Sequence, residues 1–175
     1  WVGDVEFLPD SEQILIATYV PSIWHLTEDS VRILDAAPAA FSVAASRDGS
    51  RLVIGHKGHK QISVLDAVSG ALLQRLSGHD RHVTSVRFLP NERYVISGSP
   101  DGTIRLWDLA SGSQIAIRRD VGHLANNVLP LPDGRRAVSF GANHGPENPN
   151  PFKGTYPVLL WQLPESVWPH NFGNN

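Results

Sequence analysis

The sequence predicts an all-β fold built from about four copies of one antiparallel sheet of four short strands. Short apolar runs recur at a nearly constant spacing, and a strand–turn–strand pattern precedes each of them. No long segment has the apolar period of a helix. Several strand candidates are apolar at successive positions, which is typical of strands covered on both faces. We therefore expect the sheets to pack radially, face against face.

The repeat period is visible in the positions at which the apolar runs end. These marker positions are Trp24, Leu65, Trp107 and Trp161, with spacings of 41, 42 and 54 residues. The last spacing returns to 42 if residues 141–157 contain an insertion, and this stretch is rich in Gly, Pro and Asn, which favour loops. The period predicts a single repeat region over residues 1–175. Its units cover residues 1–36, 37–77, 78–120 and 121–170.

Each unit contains the same strands in the same order, called a to d. Strands a and b, with a polar turn between them, are predicted in VEFLPDSEQILIA, VAASRDGSRLVIG, VRFLPNERYVISG and VLPLPDGRRAVSF. Strand c is the apolar run that ends at the marker. Strand d is a weaker run, such as residues 71–76 and 113–119, and the fourth unit has no early run of this kind. We therefore expect uncovered apolar sheet faces at both ends.

The charge balance argues against nucleic acid and membranes as partners. Lys and Arg number 15 against 17 Asp and Glu, which gives a net charge of −2. No apolar run in the sequence approaches the roughly 18 to 20 residues of a spanning helix. The chain has no Cys and hence neither disulfides nor thiolate metal sites. We expect a cytoplasmic protein without a metal or a cofactor.

Two features of the composition concern the origin of the chain. It begins at Trp1 and contains no Met, so we expect it to be an excerpt of a longer protein. Its basic residues are mostly Arg, and Ala is frequent, which indicates a GC-rich bacterial genome.

The third unit carries the most specific motif. In order, it contains Gly78-His79 before strand a, Ser-Gly-Ser at 97–99, Asp101-Gly102 in a turn and Trp107-Asp108 at the end of strand c. This order and spacing resemble a repeat of the WD-repeat β-propeller family. The other three units match the family pattern only in part.

The resemblance implies a β-propeller whose four-stranded antiparallel blades are the four units. Rings of this family commonly have about seven blades, and closure of the ring covers exposed edges and faces. About four blades are therefore expected to form a partial or imperfectly closed propeller, with the remaining blades in the parent chain.

The resemblance also implies a buried hydrogen-bonded chain in the third unit. In the family, the residues equivalent to His79, Ser97, Asp101 and Trp107 form such a chain. The chemistry is self-consistent, because an indole N–H only donates and a hydroxyl can accept it and donate onward. An imidazole can receive that proton at one nitrogen and donate to a carboxylate from the other.

The other units contain only some of these polar groups. The fourth unit has His123, Ser139 and Trp161, but Thr155 stands near the position of the acid. The first and second units replace most of the polar members by apolar groups such as Ile54, a change that is nearly neutral when all partners are replaced together. We expect no such polar chain in these two units.

A hydrolase triad is a second interpretation of the same residue types. A catalytic Ser must be exposed beside an oxyanion hole, and the sequence contains no Gly-x-Ser-x-Gly motif. Ser97 follows two apolar residues in strand b, as a buried structural hydroxyl would. We therefore favour the structural interpretation.

The loops of one rim are the predicted binding surface. The turn before strand a and the turn between strands b and c share a rim in this topology, and loops carry binding while sheets supply rigidity. The predicted partner-binding residues are Arg81, His82, Lys57, His59, Ser99, His144, Phe152, Lys153 and Tyr156. The stretch HKGHK at 56–60 lacks a third metal ligand nearby, so we interpret it as a solvated turn.

The resemblance implies a non-catalytic scaffold that binds a protein or peptide through these loops. Two alternatives stay open: a sensor or regulatory region of a larger bacterial enzyme such as a protein kinase, and a propeller enzyme that acts through its central channel. Strand a faces the channel and offers Asp4 and Glu6 in the first unit, but only small or apolar residues in the second. This composition disfavours the channel enzyme.

Overall fold

The structure is a computed structural model that describes residues 2–37, 39–119, 127–141 and 158–167. In this part of the chain, fifteen strands form four separate antiparallel sheets. Three sheets have four strands and the last has three. The predicted fold class is therefore confirmed, and the sheets form a propeller that does not close on itself. Nowhere in the described ranges is there a helix with the length and apolarity needed to cross a membrane.

Each sheet is one blade, and its strands are neighbours in chain order. Blade one comprises β1 (Asp4–Phe7), β2 (Gln13–Ala17), β3 (Ser22–His25) and β4 (Ser30–Ile33). Blade two comprises β5 (Ala40–Ala45), β6 (Arg51–His56), β7 (Gln61–Asp66) and β8 (Leu72–Ser77). Blade three comprises β9 (Ser85–Phe88), β10 (Tyr94–Ser99), β11 (Thr103–Asp108) and β12 (Ser113–Arg118). Blade four comprises β13 (Asn127–Pro130), β14 (Arg136–Phe140) and β15 (Val158–Gln162), followed by a 3-10 turn at Glu165–Val167.

The central strands of blade three are covered on both faces. Every residue of β10 and of β11 is buried. Because side chains alternate between the two faces of a strand, such burial requires a neighbour on each side. This explains why residues 94–99 lack the alternation of a half-exposed strand. The turn between the two strands contains Gly102 at φ 79°, a left-handed conformation that glycine adopts without a steric penalty.

The hydrophobic core consists of layers between successive blades. The layer between blades one and two contains Leu15 and Leu52, both fully buried. The layer between blades two and three contains Val53 and Trp107. The layer between blades three and four includes Val128. Each inner blade therefore contributes one face to each of two layers, and the stack depends on apolar burial at every junction.

The two terminal blades each keep one apolar face uncovered, as expected from the sequence. The blade-one face consists of Val5, Phe7, Trp24, Val31 and Ile33. The blade-four face consists of Leu129, Phe140, Val158 and Leu160. Both sets contain large apolar side chains that are at least one-third exposed, a pattern that marks interaction surfaces.

Candidate functional site

The structure brings His79, Ser97, Asp101 and Trp107 together in one hydrogen-bonded chain. The Trp107 indole donates to the Ser97 hydroxyl at 2.8 Å, and that hydroxyl lies 2.8 Å from Nε2 of His79. Nδ1 of His79 lies 2.8 Å from Oδ2 of Asp101. Because the hydroxyl accepts from the indole, it donates to Nε2, and His79 then donates from Nδ1 to the carboxylate. The chain links strand c of blade three to both turns of one rim.

Asp101 is the point at which this chain fixes the rim. Its Oδ2 also accepts the backbone N–H of Asp80 at 2.9 Å, and its Oδ1 accepts both the N–H and the hydroxyl of Thr103 at 2.8 and 2.6 Å. Burial alone would raise the pKa of Asp101, but the bonds from His79, Thr103 and the Asp80 amide outweigh it and hold that pKa well below 3.8. The side chain is therefore a carboxylate at neutral pH.

The same geometry argues against the hydrolase triad. Ser97 has no exposed surface, and His79 and Trp107 are only 4% and 1% exposed. The indole N–H occupies the oxygen that would have to attack a substrate. A nucleophile sealed in this way cannot reach a carbonyl carbon, so the four residues act as a structural brace.

Blade four contains the corresponding indole and hydroxyl. The Trp161 indole donates to the Ser139 hydroxyl at 2.7 Å, and Ser139 is fully buried. The Arg118 guanidinium lies 4.9 Å from the centre of the Trp161 ring, a cation–π distance. The predicted third member, His123, lies outside the described residues. Arg118 is exposed at the end of β12 and contacts blade four through the Trp161 ring.

Two cationic side chains and a histidine lie together on the rim that the brace fixes. Arg81 is exposed and donates to the Pro100 carbonyl at 3.3 Å, and Lys57 is exposed on the neighbouring turn of blade two. Half-buried His82 stacks on the Phe41 ring with the ring centres 5.9 Å apart. Burial lowers the pKa of His82 from 6.5, and the charges of Arg81 and Lys57 lower it further. We call Lys57, Arg81 and His82 the rim cluster.

The other predicted rim residues fall into two groups. Exposed His59 lies on the same turn as Lys57, but Ser99 is completely buried and its hydroxyl accepts the Asp101 N–H at 3.1 Å. Ser99 therefore holds the turn and is not available to a partner, which corrects its assignment to the binding surface. The remaining predicted rim residues, His144, Phe152, Lys153 and Tyr156, lie outside the described residues.

Comparison with known proteins agrees with this geometry. Residues 70–108 match the family model of the WD domain, G-beta repeat. This match runs from strand β8 of blade two through β11 of blade three and so includes the whole brace. The chain is built of WD-repeat propeller blades.

One curated relative matches most of the chain in sequence, and solved structures match most of it in fold. Human serine-threonine kinase receptor-associated protein is 30% identical over 141 residues, which are 75% of this chain and 40% of that protein. The chain thus spans about two fifths of this curated relative. The crystal structure of RRP9 WD40 repeats matches with a TM-score of 0.71 at 21% identity, over 81% of this chain and 45% of that one. Hydrazine synthase of Kuenenia stuttgartiensis matches at a TM-score of 0.80 and 13% identity, over 92% of this chain and 46% of that one.

Blade two of the WD-repeat stack contains a polar pair that the sequence did not predict. Nε2 of His56 lies 2.8 Å from the Ser63 hydroxyl, and both residues are buried. The interpretation of residues 56–60 as a solvated turn is therefore wrong for His56, which is the last residue of β6. It fits residues 57–60, which are exposed. The available signal was the apolar run RLVIG immediately before His56, which continues the strand to that residue.

The channel-side acids of blade one bind neighbouring blades. Nη1 of Arg87 lies 3.1 Å from Oδ2 of Asp4 and 3.0 Å from the Ser42 hydroxyl. Oε1 of Glu6 accepts the Ala45 N–H at 2.9 Å, and burial raises the pKa of Glu6 even though that bond and Arg87 lower it. Arg87 was missed from the sequence because its partner Asp4 is 83 residues away. Among the described residues, no group of three His, Asp or Glu side chains could hold a metal ion.

Proposed function

We propose that this chain is a non-catalytic interaction module whose rim cluster binds an acidic segment of another protein. The observation that carries the proposal is the convergence of Lys57 and Arg81 on half-buried His82 at this rim, where the charges of both act on the imidazole. An acidic peptide supplies the complementary charge, which gives both attraction and orientation.

The charges around His82 support this choice of ligand. Lys57 and Arg81 both act on its imidazole, and each of them disfavours a further positive charge there. A carboxylate bound between the three groups relieves this repulsion and also contacts the stacked imidazole. The Phe41 ring beneath His82 supplies an apolar surface for the stem of the bound side chain.

The buried brace makes the rim cluster a fixed surface. Asp101 holds the Asp80 amide, and the next residue, Arg81, bonds to the carbonyl of Pro100 on the opposite turn. Both turns are therefore tied to β10 and β11, which are buried throughout. A rigid site loses little conformational entropy on binding, which favours recognition of a flexible peptide.

Two further observations support a scaffold over an enzyme. The name of the human relative describes a protein associated with a serine-threonine kinase receptor, which is an interaction role. Asp4 and Glu6, on which a channel enzyme would have depended, are engaged in contacts between blades. We extend the interaction role to this chain, with a protein or peptide as partner.

The test is peptide binding measured by fluorescence anisotropy. The probe is a labelled peptide of alternating Glu and Gly, and the comparison peptide has Lys in place of Glu. Arg81→Glu is expected to weaken binding of the Glu peptide about tenfold, the equivalent of about 1.4 kcal/mol. Arg75→Glu, on the exposed outer strand β8, makes the same charge change away from the rim and serves as the control.

The binding measurements distinguish the rim cluster from general surface charge. Wild-type protein should bind the Glu peptide more tightly than the Lys peptide, with an affinity that falls as salt is added. Equal binding of the two peptides, or equal losses in Arg81→Glu and Arg75→Glu, would show that general surface charge and not the rim cluster binds the probe.

A further inference from the structure

His82 is the half-buried member of the rim cluster. Its ring stacks on the Phe41 ring of β5, with the ring centres 5.9 Å apart and an angle of 28° between the ring planes. Within the described ranges, neither nitrogen of this imidazole makes a hydrogen bond. A half-buried polar group without a protein partner has lost part of its contact with water, so an acceptor that reaches it is favoured.

A backbone hydrogen bond between blades two and three decides which charges act on this ring. The Val83 N–H donates to the His56 carbonyl at 3.1 Å, so the residues next to this bond, Lys57 and His82, are neighbours across the junction. Arg81 directly precedes His82 on the turn before β9. Two positive charges, one from each blade, therefore act on the imidazole.

These surroundings favour the neutral imidazole when no ligand is bound. Burial disfavours the charged ring, and Arg81 and Lys57 repel a further positive charge, so the pKa of His82 lies below 6.5. Phe41, on which the ring stacks, carries no charge that could offset them. The ring is therefore mainly uncharged at neutral pH.

A carboxylate of a bound acidic segment reverses this balance. A negative charge at hydrogen-bond distance from an imidazole favours the imidazolium and raises its pKa. The same carboxylate offsets the positive charges of Lys57 and Arg81, so their repulsion of the ring proton weakens as the ligand binds. A group that binds a proton more tightly in the complex than in the free protein takes up a proton on binding.

We propose that His82 donates a hydrogen bond to the bound carboxylate as an imidazolium, so that the rim cluster takes up one proton when it binds an acidic segment. This inference rests on the proposed function and adds a dependence on pH to it. The proton comes from the solvent and forms the ring N–H that donates to the carboxylate. Affinity therefore rises as pH falls through the pKa of the bound ring, and it levels off below the pKa of the free ring.

Isothermal titration calorimetry with the peptide of alternating Glu and Gly measures the proton. Titrations at about pH 6.5 in MES and in bis-Tris, buffers of different ionisation enthalpy, are expected to show uptake of a fraction of one proton. Affinity is expected to be about three- to tenfold higher at about pH 6 than at about pH 7.5. The Glu side chains of the peptide stay ionised over this range, because their ordinary pKa is about 4.3.

Two histidine variants locate the proton. His82→Asn removes the titrating ring, so it is expected to show no proton uptake and equal affinity at the two pH values. His25→Asn is the matched control, because His25 is also half-buried but lies at the end of β3, on the opposite rim. This control should take up as much of a proton as wild type. Circular dichroism checks that both variants stay folded.

A second measurement uses the wild-type protein alone. The titration of the His82 ring protons is followed by NMR with and without the peptide. We expect its midpoint to lie below about 6.5 in the free protein and to move to higher pH in the complex. The test therefore does not depend on the folding of a variant.

The outcomes separate this inference from the proposed function. Binding of the Glu peptide without proton uptake, or with an unchanged His82 titration, would overturn the inference alone, whereas no binding at any pH would overturn both. Exposed His59 is the other histidine on the Lys57 turn, and its ring contacts His56 edge-on with the ring centres 5.9 Å apart. Loss of proton uptake in His59→Asn but not in His82→Asn would assign the proton to His59 and so also contradict the inference.

Discussion

Ser97 occupies the centre of the buried brace in blade three. Its hydroxyl accepts from Trp107 and donates to His79, so one oxygen completes two hydrogen bonds. Removing it leaves an indole N–H and an imidazole nitrogen buried without a partner. Such unsatisfied groups are costly because the interior offers them no water.

Ser97→Ala is therefore expected to lower the free energy of unfolding by about 1 to 3 kcal/mol. Urea denaturation followed by tryptophan fluorescence measures the loss. Ser30→Ala, at an exposed position of β4, should leave the midpoint nearly unchanged. Similar small losses of unfolding free energy in Ser97→Ala and Ser30→Ala would mean that the brace contributes little to stability.

Asp101 makes the stability of the rim depend on pH. Its pKa is depressed in the folded state, so its stabilising contribution is complete above the ordinary pKa of about 3.8 and is lost as pH falls toward the folded-state pKa. Asp101→Asn should therefore destabilise the protein at neutral pH, and the difference from wild type should shrink below about pH 4. Unfolding measured across this pH range tests the sign. Asp35→Asn, at an exposed position, is the control, and a pH-independent difference for Asp101→Asn would contradict the mechanism.

The residues of the brace could be predicted because the third unit resembles a WD repeat, and the motif that carries this resemblance lies within one unit. Within one unit, hydrogen bonds join positions only 10 to 22 residues apart. Ser99 was misassigned for a related reason. The sequence places it beside a turn, but the strand continues to Ser99 and both faces of that strand are covered. Whether a residue next to a turn is exposed depends on how the neighbouring blades cover it.

At the scale of the strand, the inner strands β1, β5 and β9 are joined by one side chain. Arg87 of β9 reaches Asp4 of β1 and the Ser42 hydroxyl of β5, and it also donates to the Val43 carbonyl at 3.1 Å. The guanidinium therefore connects three blades on the channel side. A planar group with five N–H donors suits this role better than an ammonium.

Arg87→Met is expected to loosen blade one from the stack while keeping the length of the side chain. It removes hydrogen bonds to a charged group, and we expect a loss of about 1 to 3 kcal/mol in the free energy of unfolding. Hydrogen exchange of the β1 amides should become faster than in wild type. Arg75→Met on β8 provides the comparison, and unchanged exchange at β1 would show that apolar packing alone holds blade one.

Strand boundaries were predictable where apolar runs and turns alternate, as in the succession of β9, β10 and β11. The hydrogen bond between His56 and Ser63 could not be predicted, because neither residue matches the family pattern at its position. Blade two thus uses a polar pair of its own where the sequence predicted apolar replacement only.

At the scale of the whole molecule, the stack is a series of nearly equivalent junctions with two open faces. Each internal junction buries apolar side chains. One hydrogen bond from a valine N–H crosses each junction, from Val43 to Asp4, from Val86 to Ser42 and from Val128 to Ser85. The expected cytoplasmic location and the bacterial source stay predictions.

The sequence by itself determined the fold class, the repeat period, the order of strands and the composition of the brace. These properties depend on local chemistry, namely alternation or continuity of apolar residues, turn-forming residues and a motif within a single unit. Only the tertiary structure decided that Arg87 contacts Asp4 and that Ser99 is buried. Those facts depend on which blades lie side by side, and contacts between residues far apart in the chain leave no periodic trace in one sequence.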